Sequence, residues 1–187
     1  ELLAGRVDIA VHSLKDLPVE QPEGLVLAAI SERHDVQDVL LVRPGAHDPD
    51  RPIPVKPGSK VGAGSLRRKF ALGALDAQLE PVLVRGNVPT RVRKTERGEV
   101  DAMIIARAGV SRLGLDVAPL VSYDLAPEMW IPAPGQACLA VEIRQDDERT
   151  REAVRPLDHG PSRECVELER RLLALSGGGC HAPFASW

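Results

Sequence analysis

The sequence predicts an α/β fold in two lobes, one inserted into the other, and three observations predict it. Apolar runs of strand length alternate with amphipathic stretches of helix length along most of the 187 residues, a pattern of α/β architecture with mainly parallel strands. Two passages read as interdomain crossings: the charged stretch Ser31–Asp35 after an apolar run, and the stiff Ile131-Pro132-Ala133-Pro134-Gly135-Gln136. Two crossings make the first domain discontinuous and put a cleft between the lobes. Finally, three strand–turn–helix units carry arginines at one sheet edge, where open α/β sheets bind ligands.

The first predicted strand is Val7–Val11, apolar except for Asp8. It runs through His12 into Ser13, Lys15 and Asp16, and Pro18 prevents it from continuing as a paired strand. Leu25–Ala29 and Val39–Val42 are the next strands. Arg43–Gly58, with five prolines and two glycines, reads as a surface loop. Strands at Lys60–Val61, Pro81–Val84 and Ala102–Ile105 then precede helices at Ser65–Leu75, Val88–Arg97 and Ala108–Leu113. The last strand is Leu139–Ile143, followed by helices at Glu148–Val154 and Ser162–Leu175. The final helix carries an apolar stripe of Val166, Leu168, Leu172, Leu173 and Leu175.

Composition narrows the function classes. A hydrophobic content of 43% and a charged content of 27% are those of a soluble globular protein, and with 3% aromatics the core is expected to be Leu, Val, Ile and Ala. A net charge of −3 offers no general attraction to nucleic acid or anionic membrane. No apolar run nears the roughly 20 residues of a membrane span, and no secretory signal is present. The cysteines Cys138, Cys165 and Cys180 form no CxxC pair and no disulfide framework, so a reducing cytoplasm is the expected compartment. The sequence opens at Glu1 without a methionine and stops at Trp187 just after an apolar segment begins. Both ends read as cut, and this stretch is expected to be inactive by itself.

Four motifs carry potential chemistry. The Ser13, Lys15, Asp16 cluster sets a hydroxyl, an ammonium and a carboxylate beyond the end of a strand; a solvated Lys–Asp pair is its bland alternative. Val61-Gly62-Ala63-Gly64-Ser65-Leu66-Arg67-Arg68 is a strand, a small-residue turn and a helix start. Ser65 can cap that helix, its first-turn N–H groups suit an anion, and Arg67 and Arg68 can bind carboxylate or phosphate bidentately. GxxxxGK[ST] is absent. Leu83-Val84-Arg85-Gly86-Asn87-Val88-Pro89-Thr90-Arg91 repeats the arrangement, with cations opposing the helix dipole unless an anion joins them. Ile104-Ile105-Ala106-Arg107-Ala108-Gly109 leads into a short helix bearing Arg112. Last, Ser176-Gly177-Gly178-Gly179-Cys180-His181 leaves a cysteine sulfur unhindered, or else a buried structural thiol. Zinc ligation lacks a second ligand pair. Cys138, Cys165 and His12 read as core residues, and His34, His47 and His159 carry no signal.

In this order, Asp8-Ile9-Ala10-Val11-His12-Ser13-Leu14-Lys15-Asp16, Gly64-Ser65-Leu66-Arg67-Arg68, Arg85-Gly86-Asn87-Val88, Pro134-Gly135-Gln136 and Gly178-Gly179-Cys180 closely resemble the porphobilinogen deaminase (hydroxymethylbilane synthase) family of tetrapyrrole and heme biosynthesis. The resemblance covers essentially the whole chain. It implies two lobes like those of periplasmic binding proteins, with residues 1–36 and 137–156 as part of domain 1, 37–131 as domain 2, and 157–187 as the start of a small α+β domain 3. It implies a cytoplasmic, monomeric transferase that joins four porphobilinogen molecules head to tail with release of ammonia, without a nucleic-acid or membrane partner.

It also implies a dipyrromethane primer, held by a thioether to Cys180. Asp16 matches the catalytic carboxylate, which can assist proton transfer to the departing amine and steady the resulting cation through the pyrrole N–H. Ser13, Lys15, Asp16, Ser65, Arg67, Arg68, Arg91, Gly109 and Gln136 match positions that line or bind the cofactor, and Arg85, Arg91 and Arg112 match substrate-binding positions. Each pyrrole bears an acetate and a propionate, which accounts for clustered arginines in an acidic chain. Ala63 and Gly64 depart from the pattern by replacing common hydroxyl residues; Pro89 and Ala137 are also unusual. Arg93 and Arg107 are left without a role.

Two other classes compete. A non-catalytic two-lobed anion- or solute-binding domain needs the arginines but not Asp16 or an accessible Cys180. A nucleotide- or nucleic-acid-binding protein fits poorly with the net charge, the scarce aromatics and the missing phosphate-loop lysine.

Overall fold

The computed structural model describes residues 1–177 and 182–187, which form two compact units. The first comprises Glu1–Asp35 and residues 133–177, with Ser186–Trp187; the second comprises Val36–Pro132 with residues 182–185.

The first unit is built on strands β1 (Ala10–Ser13), β2 (Leu25–Ile30) and β8 (Leu139–Arg144) in the order β1-β8-β2, with both pairs antiparallel. One face buries Leu14, Ile30, Cys138, Ala140 and Val166; the other buries Ala29, Val141, Ile143 and Val154. Helices α4 (Glu148–Val154) and α5 (Gly160–Leu175) supply Val154 and Val166 to these cores. His159 accepts from the Ser162 N–H at 3.3 Å and caps α5, a role with no sequence signal. Val166 and Glu169 of α5 are buried, and the helix clusters with the first compact unit.

The second unit holds β3 (Asp38–Val42), β4 (Lys60–Ala63), β5 (Glu80–Leu83), β6 (Ala102–Ala106) and β7 (Val121–Leu125) in the order β5-β4-β6-β3-β7. Helices α1 (Leu66–Leu75), α2 (Val88–Glu96) and α3 (Arg107–Arg112) follow β4, β5 and β6. The strands β3 and β6 are buried throughout. Leu40, Val42, Ala102 and Ile104 face one core, and Val39, Leu41, Met103 and Ile105 the other. That explains their unbroken apolar runs: a strand covered on both faces has no polar side.

Three expectations are corrected. Parallel pairing is confined to β4–β5 and β4–β6, whereas the pairs β1–β8, β2–β8, β3–β6 and β3–β7 are antiparallel. Parallel neighbours need helical crossovers, and only the β4-α1-β5-α2-β6 segment supplies them. The first strand is Ala10–Ser13, not Val7–Val11. Upstream of Ala10 the Arg144 side chain takes over from the ladder, donating to the Leu2 and Val7 carbonyls at 3.1 and 2.8 Å and to Asp8 at 2.7 Å. Strand β7 is absent from the sequence reading, although Val121-Ser122-Tyr123-Asp124-Leu125 alternates with the period of a half-exposed strand.

Candidate functional site

On the first unit, Leu14 organises the predicted cluster. It is fully buried, so the short 3-10 turn Leu14–Asp16 is anchored from beneath. Its neighbours point away from that anchor: Ser13 and Asp16 are exposed and Lys15 is half-buried. The Leu14 N–H donates to the Cys138 carbonyl at 3.1 Å, tying the turn to the strand entry beside it. Lys15 Nζ donates to Gln136 Oε1 at 3.1 Å, and Gln136 is itself completely buried.

The Gln136 loop is held by residues with no motif signal. Arg33 pairs bidentately with Glu169 of α5 at 2.5 and 3.1 Å and donates from Nε to the Gln136 carbonyl at 3.0 Å. Glu169 also accepts the Gly135 N–H at 2.7 Å. Gly135 has φ +70°, and a Cβ there would lie 2.9 Å from Leu14 Cγ, so glycine is required by both conformation and space. Ala137 adopts φ 73°, an unusual position for a residue with a side chain and a cost of roughly 1–2 kcal/mol.

On the second unit, the three strand–turn–helix units stand side by side, because β5, β4 and β6 are parallel neighbours. Ser65 caps α1, accepting the Arg68 N–H at 3.4 Å. Asn87 caps α2 by accepting the Thr90 N–H at 2.9 Å, and Pro89 falls in the first turn, where its missing N–H costs nothing. Gly109 lets the start of α3 approach α2: a Cβ there would lie 3.1 Å from Val88 Cγ2. Arg85 is exposed at the end of β5, and Arg112 is exposed in the last turn of α3.

Arg67 and Arg68, read from the sequence as ligand-binding cations at a helix start, are buried and converge on one carboxylate. Asp38, fully buried, accepts from Arg67 Nη2 at 2.6 Å, from Arg68 Nε and Nη2 at 2.9 and 2.6 Å, and from Trp130 Nε1 at 2.8 Å. Arg67 Nη1 also donates to the Ile131 carbonyl at 2.6 Å. Burial pushes the Arg67 pKa down, Asp38 pulls it up, and the neighbouring Arg68 adds to the lowering. Two guanidiniums thus meet on one carboxylate at the head of α1 and concentrate positive charge there.

Other arginines are accounted for locally. Arg107 is paired with Asp124 of β7 (Nε to Oδ1, 2.6 Å) and with Ser122 at 3.3 Å; Arg93 contacts Thr90 Oγ1 at 3.3 Å. Cys180 and His181 lie outside the described residues. Cys138 is buried as expected, whereas Cys165 is exposed on α5 rather than in a core. His12 is half-exposed, 3.3 Å from Glu142, instead of packed away.

Residues 1–152 match the family described as "Porphobilinogen deaminase, dipyromethane cofactor binding domain". The chain belongs to the porphobilinogen deaminase family. Relatives named porphobilinogen deaminase include those of Chlorobium limicola (42% identical, covering 100% of this chain and 58% of that protein), Roseiflexus sp. (45%, covering 96% and 57%) and Nitratidesulfovibrio vulgaris (46%, covering 98% and 56%). The chain thus spans somewhat over half the length of these porphobilinogen deaminases. Among solved structures, an amino acid ABC transporter substrate-binding protein from Streptococcus pneumoniae bound to L-arginine is similar at 15% identity and a TM-score of 0.47, over 91% of this chain and 70% of that one.

Proposed function

We propose that the intact protein carrying this chain is a working porphobilinogen deaminase, condensing porphobilinogen units into hydroxymethylbilane with loss of ammonia. The observation that carries the reading is the pair of guanidiniums at the head of α1, where Arg67 and Arg68 converge on Asp38 beside a helix capped by Ser65. Every pyrrole unit of the reaction brings an acetate and a propionate, so a polycarboxylate ligand fits this donor set. When bound, a dipyrromethane on Cys180 supplies the primer carbon that accepts each new unit. Arg67, Arg68, Arg85, Arg91 and Arg112 supply positive charge for carboxylates, with Ser65 and Gly109 shaping the turns between them.

Asp16, exposed on a turn that cannot shift without unburying Leu14, serves as the carboxylate that handles the proton at the departing amine. Lys15, Ser13 and Gln136 position that turn and offer donors to the pyrrole carboxylates. We assign residues 1–36 and 137–156 to a first domain, 37–131 to an inserted second, and 157–187 to the entry into a third. The proposed enzyme is cytoplasmic and monomeric; among the described residues no helix is long and apolar enough to cross a membrane.

Intact-mass measurement of the purified full-length protein tests the proposal. A dipyrrole adduct on Cys180, absent from Cys180→Ala, together with loss of turnover in an adduct-bearing Asp16→Ala protein, is the expected result. An unmodified Cys180 thiol would instead support a non-catalytic solute-binding protein, and near-normal turnover by Asp16→Ala would remove its assigned role.

A further inference from the structure

Asp16 is exposed, so its carboxylate stands where the backbone beneath it is held. On the incoming side the hold is the buried Leu14, with its N–H on the Cys138 carbonyl. On the outgoing side the Leu17 N–H closes the short turn onto the Leu14 carbonyl at 3.2 Å, and the chain leaves extended at Leu17. Pro18 comes next, exposed and with no N–H to offer a strand ladder. At Pro18, then, neither strand pairing nor burial fixes the chain.

A cation does so instead. Arg170 of α5 donates from Nη1 to the Leu17 carbonyl at 3.3 Å, and from Nη2 to the Pro18 and Val19 carbonyls at 2.6 and 3.2 Å. Three consecutive carbonyls reach one guanidinium only where the chain curls around it. These bonds therefore set the backbone path of the three residues after Asp16. Burial pushes the Arg170 pKa down, and carbonyl dipoles face its Nη1 and Nη2. A planar fork serves several acceptors at fixed angles, whereas an ammonium is a point charge without that geometry. The preceding residue of α5 grips the other side of the turn. Glu169 accepts the Gly135 N–H and pairs with Arg33, Arg33 holds the Gln136 carbonyl, and the Gln136 side chain receives Lys15. Successive helical residues point about 100° apart, so one rigid element reaches both passages that flank Asp16.

We propose that Arg170 is a positioning residue for Asp16: by holding the Leu17, Pro18 and Val19 carbonyls from α5, it fixes where the carboxylate meets the departing amine. The inference rests on the reading of Asp16 as the group that handles that proton. A misplacement of about 1 Å at a reacting group can cost on the order of a hundredfold in rate, so a loosened turn is felt in kcat rather than in binding.

The test uses the intact protein with Arg170→Lys, Arg170→Gln, Asp16→Ala, and Asp16→Ala combined with Arg170→Lys. Arg170→Lys is expected to lower kcat about tenfold, with the KM for porphobilinogen within about twofold of the parent. The dipyrrole adduct on Cys180 should stay at the parent's level by intact mass. Amide exchange in the peptide spanning Leu17–Val19 should quicken several-fold. Arg170→Gln, neutral and with two donors, should lose at least as much activity. In the Asp16→Ala background, adding Arg170→Lys should change residual turnover by less than about twofold, because placement matters only while the carboxylate is present. Parent-like kcat and exchange in both Arg170 variants would overturn the inference, as would an additive loss in the double variant. Unfolding or loss of the adduct in both Arg170 variants would assign Arg170 to the fold and overturn it too. Impaired Asp16→Ala beside normal Arg170 variants removes the positioning role alone; near-normal Asp16→Ala removes the reading of Asp16 and the positioning role with it.

Discussion

Asp38 is the residue on which the second unit's arginines depend. It is a fully buried carboxylate that accepts from two guanidiniums and an indole, with Arg67 and Arg68 29 and 30 residues away. Replacing it by asparagine removes the carboxylate charge that the two buried guanidiniums share. Removing one partner of a buried ionic cluster costs about 3–5 kcal/mol, so Asp38→Asn should lower the urea midpoint by a corresponding amount. A midpoint close to that of the parent would contradict the role assigned to Asp38. The polar turn at Ser13, Lys15 and Asp16 was legible in the sequence because three different polar groups follow an apolar run. Asp38 was not: a single aspartate before Val39–Val42 looks like the edge of a strand, and its partners are remote. Arg33 and Glu169, separated by 136 positions, were hidden for the same reason.

At the scale of elements, the strand–turn–helix units were readable because their determinants are local: apolar strands, the caps Ser65 and Asn87, and glycines at the turns. The junction into α5 depends on distant contacts instead. Asp158 accepts the Ile30 N–H at 2.8 Å and receives Arg163 Nε and Nη2 at 3.0 and 2.7 Å, joining β2 to the helix. Burial raises the Asp158 pKa, but the Arg163 bonds and the Ile30 N–H outweigh it and hold the carboxyl below its usual range. A depressed carboxyl contributes stability that is full above the unfolded pKa of about 3.9 and is lost as pH falls through the lower folded value. Asp158→Asn should therefore be less stable than the parent at neutral pH, with the gap narrowing on acidification below about pH 4. Denaturant titrations across that range measure it, and a gap independent of pH would contradict the assignment.

At the scale of the molecule, the cores of the second unit come from one continuous stretch. Both of its cores draw only on residues between Val39 and Trp130. Residues 36–132 expressed alone should fold and melt in one cooperative transition, as expected of a domain of about 100 residues with its own cores. Trp130, the sole tryptophan in that stretch, reports the event by fluorescence, since its indole is buried against Asp38. A gradual, non-cooperative melt would show that the core depends on the first unit. The first unit has no such independence in sequence: β8 pairs with both β1 and β2 only after the chain has returned from the second.

The sequence by itself determined where polar chemistry breaks an apolar pattern: the Asp16 turn, the capped arginine-bearing helices and the proline-rich passages. These are properties of neighbours along the chain, set by side-chain size, charge and backbone freedom. Only the tertiary structure decided that Arg67 and Arg68 turn inward to Asp38 and that most strand pairs are antiparallel. Each of those depends on which distant segment fills the adjacent space, and burial energy, rather than local preference, makes that choice.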